Sequence, residues 1–341
     1  MSPVCRLPAA VCRLSAAVCL LAAFGVTSAI RAEQTETGPV RPAQPNVDEV
    51  EIRVLPVQRN VYMLLGAGGN TTVQVGNDGV LVVDTQLAPL APKILAAIRK
   101  LSDKPIRILI NTHVHGDHTG GNEALAKAGQ SPVRIMAQEN VLKRMTAPNQ
   151  PSVSEGALPL SEYFTPTRDF FFNGEAIVLH HVPAAHTDGD SLVFFRGSDV
   201  VSTGDLFTPE SYPVIDLQNG GSVQGLIAGL NRILELTVPA KYQEGGTYVI
   251  PGHGRLCDEA EVVEYRDMVT IVRDRIQDLI KKGMTLERVK AARPTKDYDT
   301  EYGPKTAFAP GLPAEARSGL AASEGWTTDM FVEAVFRSLK K

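Results

Sequence analysis

The sequence predicts an α+β protein built on two β-sheets covered by helices. Three observations carry that expectation. Short β-like runs fall into two blocks, at 51–84 and 168–204, broken by Asn, Gly and Asp turns. Helical periods stand between and after those blocks, so strands and helices are partly segregated and form layers. No period of about 20–50 residues emerges, which excludes a repeat architecture. With 341 residues the chain has ample material for a core, in one large domain or two modest ones.

Residues 1–32 read as a secretory leader. Arg6 and Arg13 precede an apolar stretch from Ala16 to Val26, and small residues follow, with cleavage expected after Ala29 or Ala32. The stretch is short for a membrane span, so no stable membrane insertion is expected once the leader is removed. The mature protein is therefore expected in the periplasm or secreted. Cys5, Cys12 and Cys19 belong to the leader, which leaves Cys257 alone and excludes an internal disulfide. Bulky Val18 argues against lipid attachment at Cys19. Losing three arginines and no acid takes the formal charge from −4 to −7, and nothing favours nucleic acid as a partner. A small-molecule substrate is expected, and self-association stays open. Residues 33–50 are polar and proline-bearing and read as a linker.

From Glu51 the chain shows β runs at 51–57, 60–65, 71–76 and 79–84. The glycine-rich stretch Gly66 to Asn70 between them reads as a mobile hairpin; no GKS or GKT follows, so it is not a phosphate loop. A helix through Ile94, Ala97, Ile98 and Leu101 precedes an apolar strand at 106–110. Then come helix 121–128, strand 133–137, helix 138–146 and a proline-rich surface loop, 147–163. The second block has β runs at 168–172, 175–182, 191–196 and 199–204, a loop to Gly221, a helix near 222–236 capped by Ser222, and a strand at 248–250. Asp258 with Glu261 makes a capping box, and Val262, Tyr265, Val269, Val272, Ile276 and Leu279 keep a helical packing stripe as far as Gly283. Residues 285–292 and 326–340 read as further helices.

The chemistry concentrates in Asn111 to Asn122, NTHVHGDHTGGN. His113, His115, Asp117 and His118 fall on a strand-to-helix loop, where α/β active sites are commonly built. In extended backbone His113 and His115 point to one side and can chelate one ion. Gly116 lets the chain turn, so that Asp117 and His118 can face a second. Neutral imidazole and carboxylate at this density suit borderline metals such as zinc. Of the other histidines, His186 lies in a turn before a strand and His253 at a strand end, while Asp205 closes the run 199–204.

This set, in this order, resembles the metallo-β-lactamase superfamily: HxHxDH, a distant His, an Asp ending a strand, and a late His. The resemblance covers roughly residues 51–258 and implies a four-layer αββα sandwich with metals at one edge between the sheets, followed by a C-terminal helical extension over 259–341. It further implies that His113, His115 and His186 hold a first ion, that Asp117, His118 and His253 hold a second, and that Asp205 bridges both. Two zinc ions per chain are expected, with iron as the alternative. Asp84 matches the family's early aspartate, which supports the metal loop. Asp205 makes the set more similar to glyoxalase II than to true β-lactamases, which usually carry Cys or Ser there.

Two ions about 3.5–4 Å apart lower the pKa of a shared water toward ~7 and polarise a carbonyl, so no Ser or Cys nucleophile is needed. Asp117 is the candidate catalytic residue, relaying a proton to the leaving group. The expected function is an exported dinuclear zinc hydrolase of a thioester, ester, lactone or amide. The rivals are a β-lactamase and a mononuclear iron persulfide dioxygenase held by His113, His186 and Asp205; seven donors favour two metals. Of the adjoining His180 and His181, one is expected to face the core and one the solvent. Asp190 is expected to fix a turn, Cys257 to be an inert buried thiol, and Tyr212 and Tyr242 to pack or lie at the surface. Loops 66–70, 147–163 and 206–221 are expected to set the substrate.

Overall fold

The computed structural model describes residues 47–130, 132–148, 152–304 and 326–340. The leader and most of the linker lie outside the described residues. Strands β1 (Arg53–Gln58), β2 (Val61–Leu65), β3 (Thr71–Gly76), β4 (Gly79–Val83), β5 (Ile106–Ile110) and β6 (Arg134–Met136) form one sheet in that order. β1 to β4 are an antiparallel meander, while β4, β5 and β6 run parallel. Parallel neighbours need a crossover. Helices α1 (Ala91–Leu101), α2 (Gly116–Thr119) and α3 (Asn122–Ala128) lie in those crossovers, and α4 (Glu139–Met145) follows β6.

The second sheet has the order β11-β10-β9-β8-β7, from β7 (Thr167–Phe172), β8 (Glu175–Val182), β9 (Asp190–Phe195), β10 (Val200–Ser202) and β11 (Tyr248–Ile250). Only β10 and β11 are parallel, and α5 (Val223–Leu236) connects them. Beyond β11 stand α6 (Glu259–Lys281), α7 (Leu286–Ala291), α8 (Asp299–Tyr302) and α9 (Thr328–Leu339). The capping box of Asp258 and Glu261 opens α6 as its sequence predicts. Among the described residues, no helix is long and apolar enough to cross a membrane.

Burial accounts for the layering. All five residues of β4 are buried, because the strand is covered on both faces. Val80 and Val82 face α1 with Ile94 and Ile98; Leu81 and Val83 face the other sheet. Met63, Ile108 and Ile110 there meet Ile177, Leu179, Val193 and Phe195. The outer face of the second sheet buries Leu192 and Val201 against α5, α6 and α9. The architecture is thus the αββα sandwich. The stripe of Val262, Tyr265, Val269, Val272 and Ile276 is fully buried in this outer layer, and Cys257 is a buried thiol.

The sheets are also joined by polar contacts. Glu175, at the start of β8, is buried and accepts from Gln74 Nε2 on β3 at 2.6 Å, from the backbone N–H groups of Gly197 and Ser198, and from Ser198 Oγ. Removing its side chain strands four donors in the interior. Glu175→Ala should therefore destabilise the fold by about 3 kcal/mol or more in urea unfolding, while Glu175→Gln, which keeps one acceptor oxygen, should lose less.

Candidate metal centre

The C-terminal ends of β4, β5, β10 and β11 gather at one edge of the sandwich, the place where open α/β sheets bind ligands. β5 runs into the loop of His113 and His115, and His115 leads α2, which carries Asp117 and His118. The β8–β9 connection brings His186, the turn after β10 brings Asp205, and the turn after β11 brings His253. All seven residues named from the sequence come together. One donor atom from each of His113, His115, His186 and Asp205 lies within 4.8 Å of the others, as do those of Asp117, His118 and His253. The two Asp205 oxygens divide between the sets. Oδ2 is 3.9 Å from His113 Nε2 and 3.7 Å from His186 Nε2; Oδ1 is 3.2 Å from His118 Nε2 and 3.4 Å from His253 Nε2.

Four of the five rings, all but His253, are turned by what their other nitrogen bonds. Thr112 Oγ1 donates to Asp84 Oδ2 at 2.6 Å and so accepts from His113 Nδ1 at 3.0 Å. His186 Nδ1 donates to the Val214 carbonyl, His118 Nδ1 to Asp84 Oδ2 at 2.8 Å, and His115 Nε2 to Asp216 Oδ2 at 2.9 Å. With those protons pinned outward, the free lone pairs of His113 Nε2, His115 Nδ1, His118 Nε2 and His186 Nε2 face the centre. His113 Nε2 and Asp205 Oδ1 are fully buried and make no hydrogen bond. Buried polar atoms are nearly always partnered, so a converging set of orphaned acceptors fits a cation.

The electrostatics differ from ring to ring. Burial, reinforced by His118 and His186, holds His113 well below the usual imidazole pKa, and burial with His115 pushes His186 to about 4; both are neutral imidazoles at pH 7. Burial would lower His118 as well, but Asp205, Asp84 and Asp117 outweigh it and raise it well above its ordinary value. Burial would raise Asp205, but His253 and His118 hold its carboxyl well below the ordinary range. Carboxylates here thus favour positive charge on their neighbours, as a divalent cation would supply.

Asp84 is the support expected of it. It leaves β4 in left-handed backbone at φ 58°, and Oδ1 accepts from the Thr112 N–H at 2.8 Å. Asp216 was not legible in the sequence, for it lies in the irregular loop 206–221 with no motif around it. The Gly66–Asn70 stretch differs from the mobile hairpin expected. It is buried; Gly69 N–H donates to the Asp117 carbonyl, and the Asn70 side chain donates to the Pro251 and Gly254 carbonyls. A Cβ at Gly69 would collide with the His118 ring, and one at Gly252 with Asp205. These glycines serve close approach, not mobility. Gly116, by contrast, has open space around it and no left-handed backbone, so the turn there is made by α2 itself.

The remaining candidates stay outside. His180 is buried beside Arg232, and His181 Nε2 donates to the Asp188 carbonyl. Asp190 fixes the β8–β9 turn by accepting from the Thr187 N–H and hydroxyl. Tyr212 is buried and stacks on Phe331, whereas Tyr242 is exposed.

Outer carboxylates of this kind orient metal-binding imidazoles, and losing one typically costs about 10–100-fold in metal affinity. Asn tolerates left-handed backbone, so Asp84→Asn should keep the fold. Asp84→Asn should weaken metal binding mainly at His118, and Asp216→Asn mainly at His115. Competition with a chromogenic chelator, read on each variant, checks both; wild-type affinity in Asp84→Asn would refute the support role.

Comparison with known proteins places this geometry. Residues 65–254 match the family model for the metallo-beta-lactamase superfamily. A linear primary-alkylsulfatase of Pseudomonas sp. is 24% identical over 260 residues, covering 62% of this chain and 48% of the relative. A hydroxyacylglutathione hydrolase of Crocosphaera subtropica is 26% identical over 243 residues, covering 68% of this chain and 79% of the relative. Among solved structures, the stereoselective inverting sec-alkylsulfatase Pisa1 of Pseudomonas sp. superposes with a TM-score of 0.60 at 18% identity, over 84% of this chain and 50% of that one. A metallo-beta-lactamase of Pontibacter korlensis gives 0.52 at 15% identity, over 64% of this chain and 99% of that one. The chain spans about half the length of the alkylsulfatases it matches. With more than half of its residues matched by the family model, the chain belongs to the metallo-beta-lactamase superfamily.

Proposed function

We propose that the chain is an exported dinuclear zinc hydrolase that cleaves a carbonyl substrate: a thioester, ester, lactone or amide. The observation that carries this reading is the division of seven inward-facing donors into two sets joined by the two oxygens of Asp205. His113, His115 and His186 would hold one ion and Asp117, His118 and His253 the other, with Asp205 shared. When bound, such a pair activates water at neutral pH and polarises the scissile group. The chain's own residues do the rest. The outer partners Asp84, Thr112, Asp216 and Val214 fix the rings, so little reorganisation is needed during reaction. Asp117 is the more open of the two carboxylates, 26% exposed against 8% for Asp205, which supports a role in handing a proton to the leaving group. A mononuclear dioxygenase would need only His113, His186 and Asp205 and leaves the second set unexplained.

A second reading, hydrolysis of a sulfate ester, is supported by the likeness to the alkylsulfatases. Asp205 and the hydroxyacylglutathione hydrolase relative favour the carbonyl substrate. In domain terms we propose a leader at 1–32, a linker at 33–50, the catalytic unit at 51–258 and a helical extension at 259–341.

Purified protein should hold close to two zinc ions, and a panel of thioester, lactone, β-lactam and alkyl sulfate substrates should separate the readings. Asp205→Asn should lower metal content and cut turnover by at least ~100-fold, about 2.7 kcal/mol of barrier. His253→Ala should empty mainly the second set, and His180→Ala should leave metal content unchanged. A folded Asp205→Asn with both metals and normal turnover would sink the shared-carboxylate reading; one iron with oxygen uptake on persulfides would replace it. Protein from the native host should begin near Ile30 or Glu33, and intact residues 1–32 in a membrane fraction would overturn the leader.

A further inference from the structure

A cavity of about 670 Å³ adjoins the metal centre and shares His115 and Asp216 with it. That volume is in the range of small-molecule sites. His115 is also the one imidazole of the five with an open side chain, 28% exposed, while the others are at 3% or less. His115 thus stands at the edge that the donor cluster and the cavity share.

One wall is a face of α9. Met330, Glu333, Ala334 and Arg337 follow the i, i+3, i+4, i+7 spacing of a single helical face and line the cavity. Phe331, Val335 and Ser338, on the opposite side, are buried in the core. The facing wall is the 214–218 part of the loop that carries Asp216. Leu217, Trp326, Met330 and Ala334 supply an apolar surface. The charged groups there already have partners: Asp216 accepts from His115 and Asn219, and Glu333 accepts from both Lys290 and Arg337. A charged carrier would meet no unpaired cation in this wall, whereas a hydrocarbon group would exchange water for apolar contact.

From this we infer that the cavity takes an uncharged hydrocarbon substituent, alkyl or aryl, attached to the scissile group, and that α9 is thereby the helix that selects the substrate. The word substrate rests on the hydrolase reading above; the cavity's preference does not.

The chain has one tryptophan, Trp326, and it lines the cavity, so its emission reports filling without any turnover. Full-length protein, metal-loaded and metal-stripped, is titrated with straight-chain 1-alcohols from butanol to octanol. Saturable blue-shifted emission is expected with or without metal, with affinity tightening about fourfold per added methylene. Met330→Asp, on a side chain already 43% exposed, should weaken octanol binding at least ~tenfold by setting a charge against the apolar group, with metal content unchanged. Met330→Ala, a milder change, should shift it in the same direction. The chain-length ladder should reappear in kcat/KM for esters or alkyl sulfates and flatten in Met330→Asp. Emission that does not respond, affinity independent of chain length, or wild-type binding in Met330→Asp would each overturn the inference. A ladder in emission with no hydrolysis of any substrate would leave the cavity standing and remove the hydrolase. Hydrolysis indifferent to chain length, with flat emission, would do the reverse.

Discussion

The hydrogen bonds of Asp84 decide where the loop carrying His113 to His118 can go. The residue leaves β4 in left-handed backbone, which turns its carboxylate across to β5's exit, where one oxygen holds the Thr112 N–H and the other holds both the Thr112 hydroxyl and His118 Nδ1. Through Thr112 the same carboxylate orients His113. Two imidazoles, one from each donor set, thus take their direction from a single side chain that belongs to neither set. The parallel pairing of β4 with β5 makes this feasible, since it ends both strands at the same edge with Val83 opposite Ile110. Strain at a non-glycine left-handed residue costs about 1–3 kcal/mol, and such strain persists where surrounding contacts over-determine it.

The same construction crowds five imidazoles and two carboxylates at one buried edge. His118 Nε2 stands 3.2 Å from His253 Nε2, and His115 Nδ1 2.9 Å from His186 Nε2. Nitrogens so close cannot all be protonated, and few buried groups of this kind go without partners. The arrangement is therefore unfavourable for folding alone and favourable for binding a cation. Binding to the native state alone adds stability by mass action, so metal affinity and fold stability are linked through these residues.

Much of this was legible in the chain because metal chemistry leaves dense local marks. HxHxDH puts four donors in six residues, and His186, Asp205 and His253 each stand beside a strand end recognisable from its own apolar run. The two-layer pattern of strands was legible for the same reason: β4 is a continuous apolar run, and β5 is one broken only by Arg107. What escaped was whatever depends on tertiary contact. Asp216 sits in an irregular loop, and no local signal distinguishes it from other acidic loop residues. The Gly66–Asn70 stretch misled because glycine marks mobility and close approach alike in one dimension; only the His118 ring beside Gly69 tells which.

Asp216 shows why the C-terminal helices matter to chemistry that the family model places before them. Its loop is held from the far side. Tyr212 N–H donates to the Tyr302 carbonyl, its hydroxyl bonds the Thr295 carbonyl and Asp299, and its ring stacks on Phe331 of α9 with centroids 4.8 Å apart. Ser338 Oγ of α9 caps the Val223 N–H where α5 begins, just beyond the same loop. A continuous set of contacts therefore runs from α9 through Tyr212 and the 214–218 segment to Asp216, and from Asp216 to His115. The helix that lines the cavity also steadies the imidazole at the cavity's shared edge. The cavity wall and the orientation of the His115 ring are in this way two consequences of one packing arrangement, and a change in how α9 sits would reach both.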